Sequence, residues 1–332
     1  MDYQYFDLGD LELQSGDILP NAKLAYATYG TLSDRKDNVI LFPTYYTGTH
    51  RSNAAIIGST WALNPDRYFI IVPNLFGNGL SSSPSNTGLG GDFPRISLYD
   101  NVRCQHRLLW EQFGIEAIAL VLGWSMGAMQ AYHWAALYPD QVSTMLAICG
   151  AAKTSPHNQV FLAGVRAALT ADGTWNHGFY QQPPVQGLKA FGRVYAGWVY
   201  SQTFYREGLY KDLGFHTLDD LLRWWEDDHL AWDANDLLAM MEAWYHGDIS
   251  DHPRYNQDFS AALGAIAARS LIMPCATDLY FTPEDNALEV AQMPNAELRV
   301  IDSVWGHYAG GPGRNREATA MIEAAIAELL EA

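Results

Sequence analysis

The sequence predicts an α/β fold: a mainly parallel sheet flanked by helices, with a helical cap inserted into the core. Three observations carry this. Short apolar runs recur along the chain, at 39–43, 68–73, 118–122, 142–149 and 270–276, with polar loops and helical stretches between them. Such runs suit strands buried on both faces of a parallel sheet. One run leads straight into Gly123-Trp124-Ser125-Met126-Gly127 and then into a helix-like stretch, 128–137. Finally, no comparable strand pattern occurs from 155 to 265, where aromatic residues crowd instead. A chain of 332 residues, 48% hydrophobic and 17% charged, can bury a large core and carry an insertion.

In chain order, residues 11–30 read as an antiparallel opening, with a turn at Ser15-Gly16-Asp17. The 39–43 strand runs into a polar loop, Thr44-Tyr45-Tyr46-Thr47-Gly48-Thr49-His50. The 68–73 strand is followed by a loop, 74–83, that contains Gly77-Asn78-Gly79. That pair of glycines lacks the Lys-Ser/Thr and the spacing of a phosphate or dinucleotide cradle, so no cofactor is expected there. A helix over 98–114 starts from a cap at Ser97, and Pro139 stops the helix that follows Ser125. Within 155–265, helical spacing is clearest at 217–228 and 234–245. The core resumes with the 270–276 strand, a helix at 284–293, a last strand at 297–301 and a closing amphipathic helix at 316–331. The expected organisation is a core of residues 1–154 and 266–332 with a cap of residues 155–265. Most cap aromatics pack. Others line an apolar pocket or a dimer surface, which spacing does not distinguish.

Strand, Gly-x-Ser-x-Gly, helix is the context of a nucleophile elbow. A sharp turn holds the serine in a strained backbone, and its flanking glycines avoid a collision where strand and helix cross. Ser125 is therefore the candidate nucleophile. A serine hydroxyl needs a base, and the base needs an orienting acid; in a fold with this elbow the chain order is Ser, then Asp or Glu, then His. Asp278 follows the 270–276 strand, and His307 lies in Gly306-His307-Tyr308-Ala309-Gly310 after the last strand. Asp302 competes as the acid, but it sits too near the end of its own strand to reach under the ring. The backbone amides of Met126 and Tyr46 are the expected oxyanion donors. Tyr45, Trp124 and Tyr308 are the candidate substrate-binding residues. His50 stands near the mouth, where it could contact ligand, and His133 is expected to be structural.

A net charge of −17 argues against nucleic acid and anionic membranes as partners. The N-terminal residues have no basic and apolar signal pattern, and no apolar run reaches the length of a membrane span. Cys104, Cys149 and Cys275 are too far apart for a disulfide framework or a metal site and suit a reducing cytoplasm. No metal or other cofactor is implied.

Several segments together are distinctive. They are Leu24-Ala25-Tyr26-Ala27-Thr28-Tyr29-Gly30, Tyr46-Thr47-Gly48-Thr49-His50, Asn101-Val102-Arg103-Cys104-Gln105, Ser125-Met126-Gly127-Ala128-Met129-Gln130, Trp232-Asp233-Ala234-Asn235 and Ala276-Thr277-Asp278. On these the chain resembles the homoserine O-acetyltransferase family of α/β-hydrolases, from about residue 20 to the C-terminus. The resemblance implies the α/β-hydrolase fold, a Ser125-Asp278-His307 acyl enzyme and a homodimer formed through the helical cap. Three departures stand out. Tyr308 replaces an acid that the transferases carry after the catalytic histidine. Ala231 stands where they carry an arginine. The loop after Pro73-Asn74 lacks their cysteine. Loss of one acid and one arginine removes charges that an amino-acid acceptor needs and predicts a more apolar site. The expected function is a serine carboxylesterase acting on small-molecule, short-chain esters, chiefly acetates. The alternative is acetyl-CoA-dependent O-acetylation of homoserine or another alcohol. A non-enzymatic binding protein is disfavoured by the intact set of three residues.

Overall fold

The structure, a computed structural model, describes residues 2–331, so Met1 and Ala332, the ends of the expected core segments, lie outside it. Eight strands form one sheet: β1 (Gln4–Glu12), β2 (Ile18–Tyr29), β3 (Val39–Leu41), β4 (Phe69–Pro73), β5 (Ile118–Trp124), β6 (Val142–Ile148), β7 (Arg269–Met273) and β8 (Ala296–Leu298). Their spatial order is β1-β2-β4-β3-β5-β6-β7-β8. The β1–β2 and β2–β4 pairs are antiparallel and the rest parallel.

Residue type explains this division. Every residue of β3 and β4 is buried, as two-sided cover requires, whereas β1 at the edge buries only Phe6, Leu8 and Leu11. The opening strand starts at Gln4 rather than near Leu11, because its half-exposed alternation is interrupted by register shifts around Gly9. The last strand is shorter than the apolar run suggests. It ends at Leu298, and Ile301 continues only as a single bridge to Cys275.

Helices cover both faces. On one side lie α1 (Leu98–Arg107), which winds on to Gly114, and α2 (Met126–Leu137), packed with Val39, Leu41, Val121 and Met145. The other face, with Ile40, Leu120, Leu146 and Leu271, is covered by a C-terminal helix (Arg316–Leu330) through Ala318, Ile322, Ala325 and Ile326. The alternate residues of each strand thus feed two different cores. All twelve residues of α2 are buried, which is why it shows no amphipathic period.

Between β6 and β7 the chain is helical. Its longer helices are α3 (Pro156–Thr170), α4 (Val185–Val199), α5 (Leu218–Leu230) and α6 (Ala234–Tyr245). They enclose a third cluster in which Phe161, Phe191, Tyr195, Trp225 and Trp244 meet Tyr46, Leu75 and Met126. Local chemistry sets their ends. Thr217 accepts from the amide of Asp220 to start α5, and Asp233 accepts from Asn235 and Asp236 to start α6. The Tyr180 hydroxyl donates to Asp233 at 2.7 Å, and the Asn235 amide holds the carbonyl of Gly178 at 2.9 Å. The Trp232-Asp233-Ala234-Asn235 segment is therefore a helix start tied to its neighbouring loop. After β7 come α7 (Pro283–Val290) and, beyond β8, the C-terminal helix, here α8.

Candidate active site

Ser125 stands between the end of β5 and the start of α2, with φ 57° and ψ −126°. A non-glycine residue adopts that backbone only when its surroundings enforce it. They do so here. The Ser125 amide donates to the carbonyl of Ile148 at 2.9 Å, and the Ser125 carbonyl receives the amide of Met129 at 3.1 Å. The flanking glycines let the chain cross itself. A Cβ at Gly123 would lie 2.1 Å from the carbonyl carbon of Gly127, and one at Gly127 would lie 2.7 Å from the carbonyl oxygen of Pro43.

His307 follows β8 in a tight turn, Gly306–Gly310, and is buried. Its Nδ1 lies 2.7 Å from Oδ2 of Asp278. The other carboxylate oxygen of Asp278 accepts from the amides of Tyr280 and Phe281 at 2.8 and 3.3 Å. The acid is thus fixed by backbone donors before it orients the ring. Trp124 stacks on the imidazole at 4.9 Å, and Tyr280 meets it edge-on at 4.8 Å. Asp302, the competing acid, is exposed. The glycines of this turn have packing reasons. A Cβ at Gly306 would come within 2.8 Å of the Val199 carbonyl, and one at Gly310 within 2.6 Å of the Cys149 sulfur.

The loop that presents Tyr46 is held from below. Trp134 Nε1 donates to Gln105 Oε1 at 2.8 Å, Gln105 Nε2 to Gln130 Oε1 at 2.7 Å, and Gln130 Nε2 to the carbonyl of Thr44 at 2.8 Å. This buried chain ties α1 and α2 to the loop that presents Tyr46. Met126 is the first residue of α2, so its amide has no partner within the helix. Among the described residues, the amides of Tyr46 and Met126 donate to no protein acceptor.

Tyr45, Tyr46, Trp124, Ser125, His307 and Tyr308 line one cavity of about 190 Å³, and Asp278 lies buried behind the histidine. Among the described residues, no protein group hydrogen-bonds the Ser125 hydroxyl. It shares the cavity with His307 without a direct hydrogen bond, an arrangement that commonly tightens only when substrate binds. His50 lies elsewhere. It is buried, and its amide donates to Asn74 at 3.0 Å. His133 is buried in α2.

Tyr308 lines the cavity, whereas Ala231 is not among its lining residues, and charged groups reach it from Asp228 and Arg314. The Arg314 guanidinium stacks on the rings of Tyr308 and Trp124, at 4.6 and 5.7 Å. Burial raises the Asp228 carboxyl above its usual range, and Arg314 partly opposes that. Asp228 comes from the C-terminal half of α5, within an acidic run that resembles any solvated helix face. Arg314 comes from the loop before α8, where its only signal is a position seven residues beyond His307.

Cys149, Asp278 and His307 bring possible ligand atoms within 4.8 Å of one another. Burial raises the Cys149 thiol well above its ordinary range, which disfavours the thiolate a metal requires. The hydrogen bond between Asp278 and His307 uses the other two groups. What the arrangement can do is acyl transfer: nucleophile, base with oriented ring, and two free amides beside an enclosed space.

Comparison with known proteins places this geometry in context. Residues 39–311 match the family described as alpha/beta hydrolase fold. The chain is 39% identical to an ethyl acetate hydrolase of Pseudomonas veronii, over 99% of this chain and 95% of that one. The solved structure of the acetyl esterase MekB superposes with a TM-score of 0.96 at 38% identity, covering 99% of this chain and 97% of that one. A homoserine O-acetyltransferase of Chlorobaculum parvum is 32% identical over 92% of this chain and 89% of its own.

Proposed function

This chain belongs to the alpha/beta hydrolase family, and from that premise we propose that it is a serine carboxylesterase acting on short-chain esters, chiefly acetates. The observation that carries the reading is Ser125 on a strained elbow, sharing one cavity with a histidine held at 2.7 Å by Asp278. In this reading the core, residues 1–154 and 266–332, supplies the chemistry, and the cap, residues 155–265, closes over it. The relatives named as esterases point the same way. The three free cysteines fit a cytoplasmic setting.

The mechanism follows from the geometry. His307 removes the proton from Ser125 as the hydroxyl oxygen attacks the ester carbonyl. The amides of Met126 and Tyr46 receive the developing oxyanion. The tetrahedral adduct collapses, and the alcohol leaves with the proton from His307. Water then attacks the acyl-Ser125 carbonyl and gives its proton to the same ring, which returns it to the Ser125 oxygen as the acid is released. Asp278 keeps Nδ1 protonated and steadies the imidazolium.

A second reading is acetyl-CoA-dependent acetylation of homoserine or another alcohol. It is favoured by the charged pair Asp228 and Arg314 in the cavity and by the transferase relative. One assay separates the two. Purified protein and Ser125→Ala are given ethyl acetate and p-nitrophenyl acetate, and in parallel acetyl-CoA with homoserine. The expected result is ester hydrolysis that falls at least ~1,000-fold in the variant, with no acetylation of homoserine. Acetylation faster than hydrolysis would replace the esterase reading with the transferase.

A further inference from the structure

The catalytic cavity holds more polar capacity than the hydrolysis of a plain alkyl acetate uses. His229 is 1% exposed and lines the cavity. Its Nδ1 lies 3.0 Å from the carbonyl of Trp225, an oxygen that can only accept, so Nδ1 carries the proton. Burial holds this imidazole neutral, down at about 4. Nε2 is therefore a bare acceptor, and it is buried without a partner. A buried acceptor left unpaired costs free energy that a ligand's donor would recover. On the other side of the ring, the carboxylate of Asp228 lies 3.5 Å from His229 Nδ1, and among the described residues it accepts no hydrogen bond from a protein group. Arg314 faces the same space. Its guanidinium is flanked by the Tyr308 and Trp124 rings, and among the described residues it forms no ion pair.

Donor and acceptors thus line one chamber without satisfying each other. The esterase reading says which part of the substrate meets them, and the inference rests on that reading. An acetyl group has no polar atom left once its carbonyl lies between the amides of Tyr46 and Met126. The unused groups therefore serve the alcohol portion. An anionic alcohol would meet Asp228, and a cationic one would meet Arg314. A neutral hydroxyl is donor and acceptor at once and suits both. We infer that the cavity contains a subsite for a free hydroxyl on the alcohol portion of the ester, with Arg314 as donor and the Asp228–His229 pair as acceptors. The preferred substrates are then monoacetates of small diols or polyols, which a space of about 190 Å³ can hold.

The test uses two esters of the same shape, 2-hydroxyethyl acetate and propyl acetate, whose alcohols differ by OH against CH3. The readout is the ratio of their kcat/KM values. It is internal to each preparation, so a partly misfolded variant does not distort it. The wild-type protein is expected to favour the hydroxy ester about tenfold, the contribution of a hydrogen bond to a charged or buried partner. In Arg314→Met and in His229→Phe that ratio should fall towards one. A wild-type ratio near one, a ratio that both variants retain, or a stronger preference for O-acetylhomoserine overturns the inference. If neither ester is hydrolysed, it is the esterase reading that fails. The subsite is then read from ligand-observed NMR of both intact esters on Ser125→Ala, where selective binding of the hydroxy ester sustains it and equal binding overturns it.

Discussion

Gln130 does not line the cavity, yet it is expected to influence the rate. Its amide spans from Gln105 to the carbonyl of Thr44, two residues before the expected oxyanion donor Tyr46. Gln130→Leu leaves the amide of Gln105 and the carbonyl of Thr44 unpaired in a buried setting, at about 1–3 kcal/mol of stability. It also frees the loop that presents the Tyr46 amide. That donor acts chiefly in the transition state, so kcat should fall about tenfold or more while KM moves little. Steady-state kinetics beside a melting curve checks this, and a variant that melts earlier with unchanged kcat would detach the network from the oxyanion loop. The grouping of Ser125, Asp278 and His307 was legible because each follows a strand, in the chain order that this fold uses. Asp228, His229 and Arg314 were not. They reach the cavity from a cap helix and a loop, and their placement depends on tertiary packing that no local pattern encodes.

At the scale of elements, the β5–α2 crossing is the tightest point of the fold. A methyl group at Gly123 would overlap the backbone of Gly127, and backbone atoms cannot step aside as a side chain can. Gly123→Ala is expected to cost more than about 3 kcal/mol, measured as lost soluble yield or a lowered denaturation midpoint. A variant that folds with wild-type stability would mean the elbow can open. The same helix carries a pH liability. Burial, helped by nearby His252 and opposed by Asp248, holds His133 at about 3, against an ordinary 6.5. Between those values the unfolded chain binds a proton that the folded chain refuses, so stability falls as pH falls from about 6.5 towards 3. The contribution is about 2–4 kcal/mol across that window. Both ring nitrogens lack partners, so His133→Leu strands no neighbour and should flatten the acid limb of a stability-against-pH curve. An unaltered limb would assign the acid sensitivity to other groups. Strands β3 to β7 were readable because apolar runs buried on both faces are unambiguous. The β1 start and the β8 end were not, since edge strands mix polar residues with apolar ones and their extent is set by the neighbour they pair with.

At the scale of the whole molecule, the helical segment between 155 and 265 carries a concentration of exposed apolar surface. Among the described residues, six of the twelve large hydrophobic residues that remain exposed lie in the third of the chain between 155 and 265: Val160, Phe179, Val185, Val194, Leu218 and Trp224. Scattered singly, such residues need no explanation. Their concentration on the helical segment, together with the family resemblance, supports a homodimer formed through the cap. The chain's charge of −17 works against that, because two copies repel, so the interface must be apolar enough to overcome the repulsion. Light scattering of the wild-type protein should therefore give twice the chain mass of 37.0 kDa, and should do so more firmly at high salt, where the repulsion is screened. Val194→Glu with Leu218→Glu places two further charges on exposed positions of α4 and α5 and should shift the mass to that of one chain. Because both side chains face solvent in the isolated chain, the melting temperature of the monomer should be nearly unaffected. A wild-type protein that is monomeric at every salt concentration would reduce these residues to ordinary surface and leave the cap with one task, closing the cavity above Ser125.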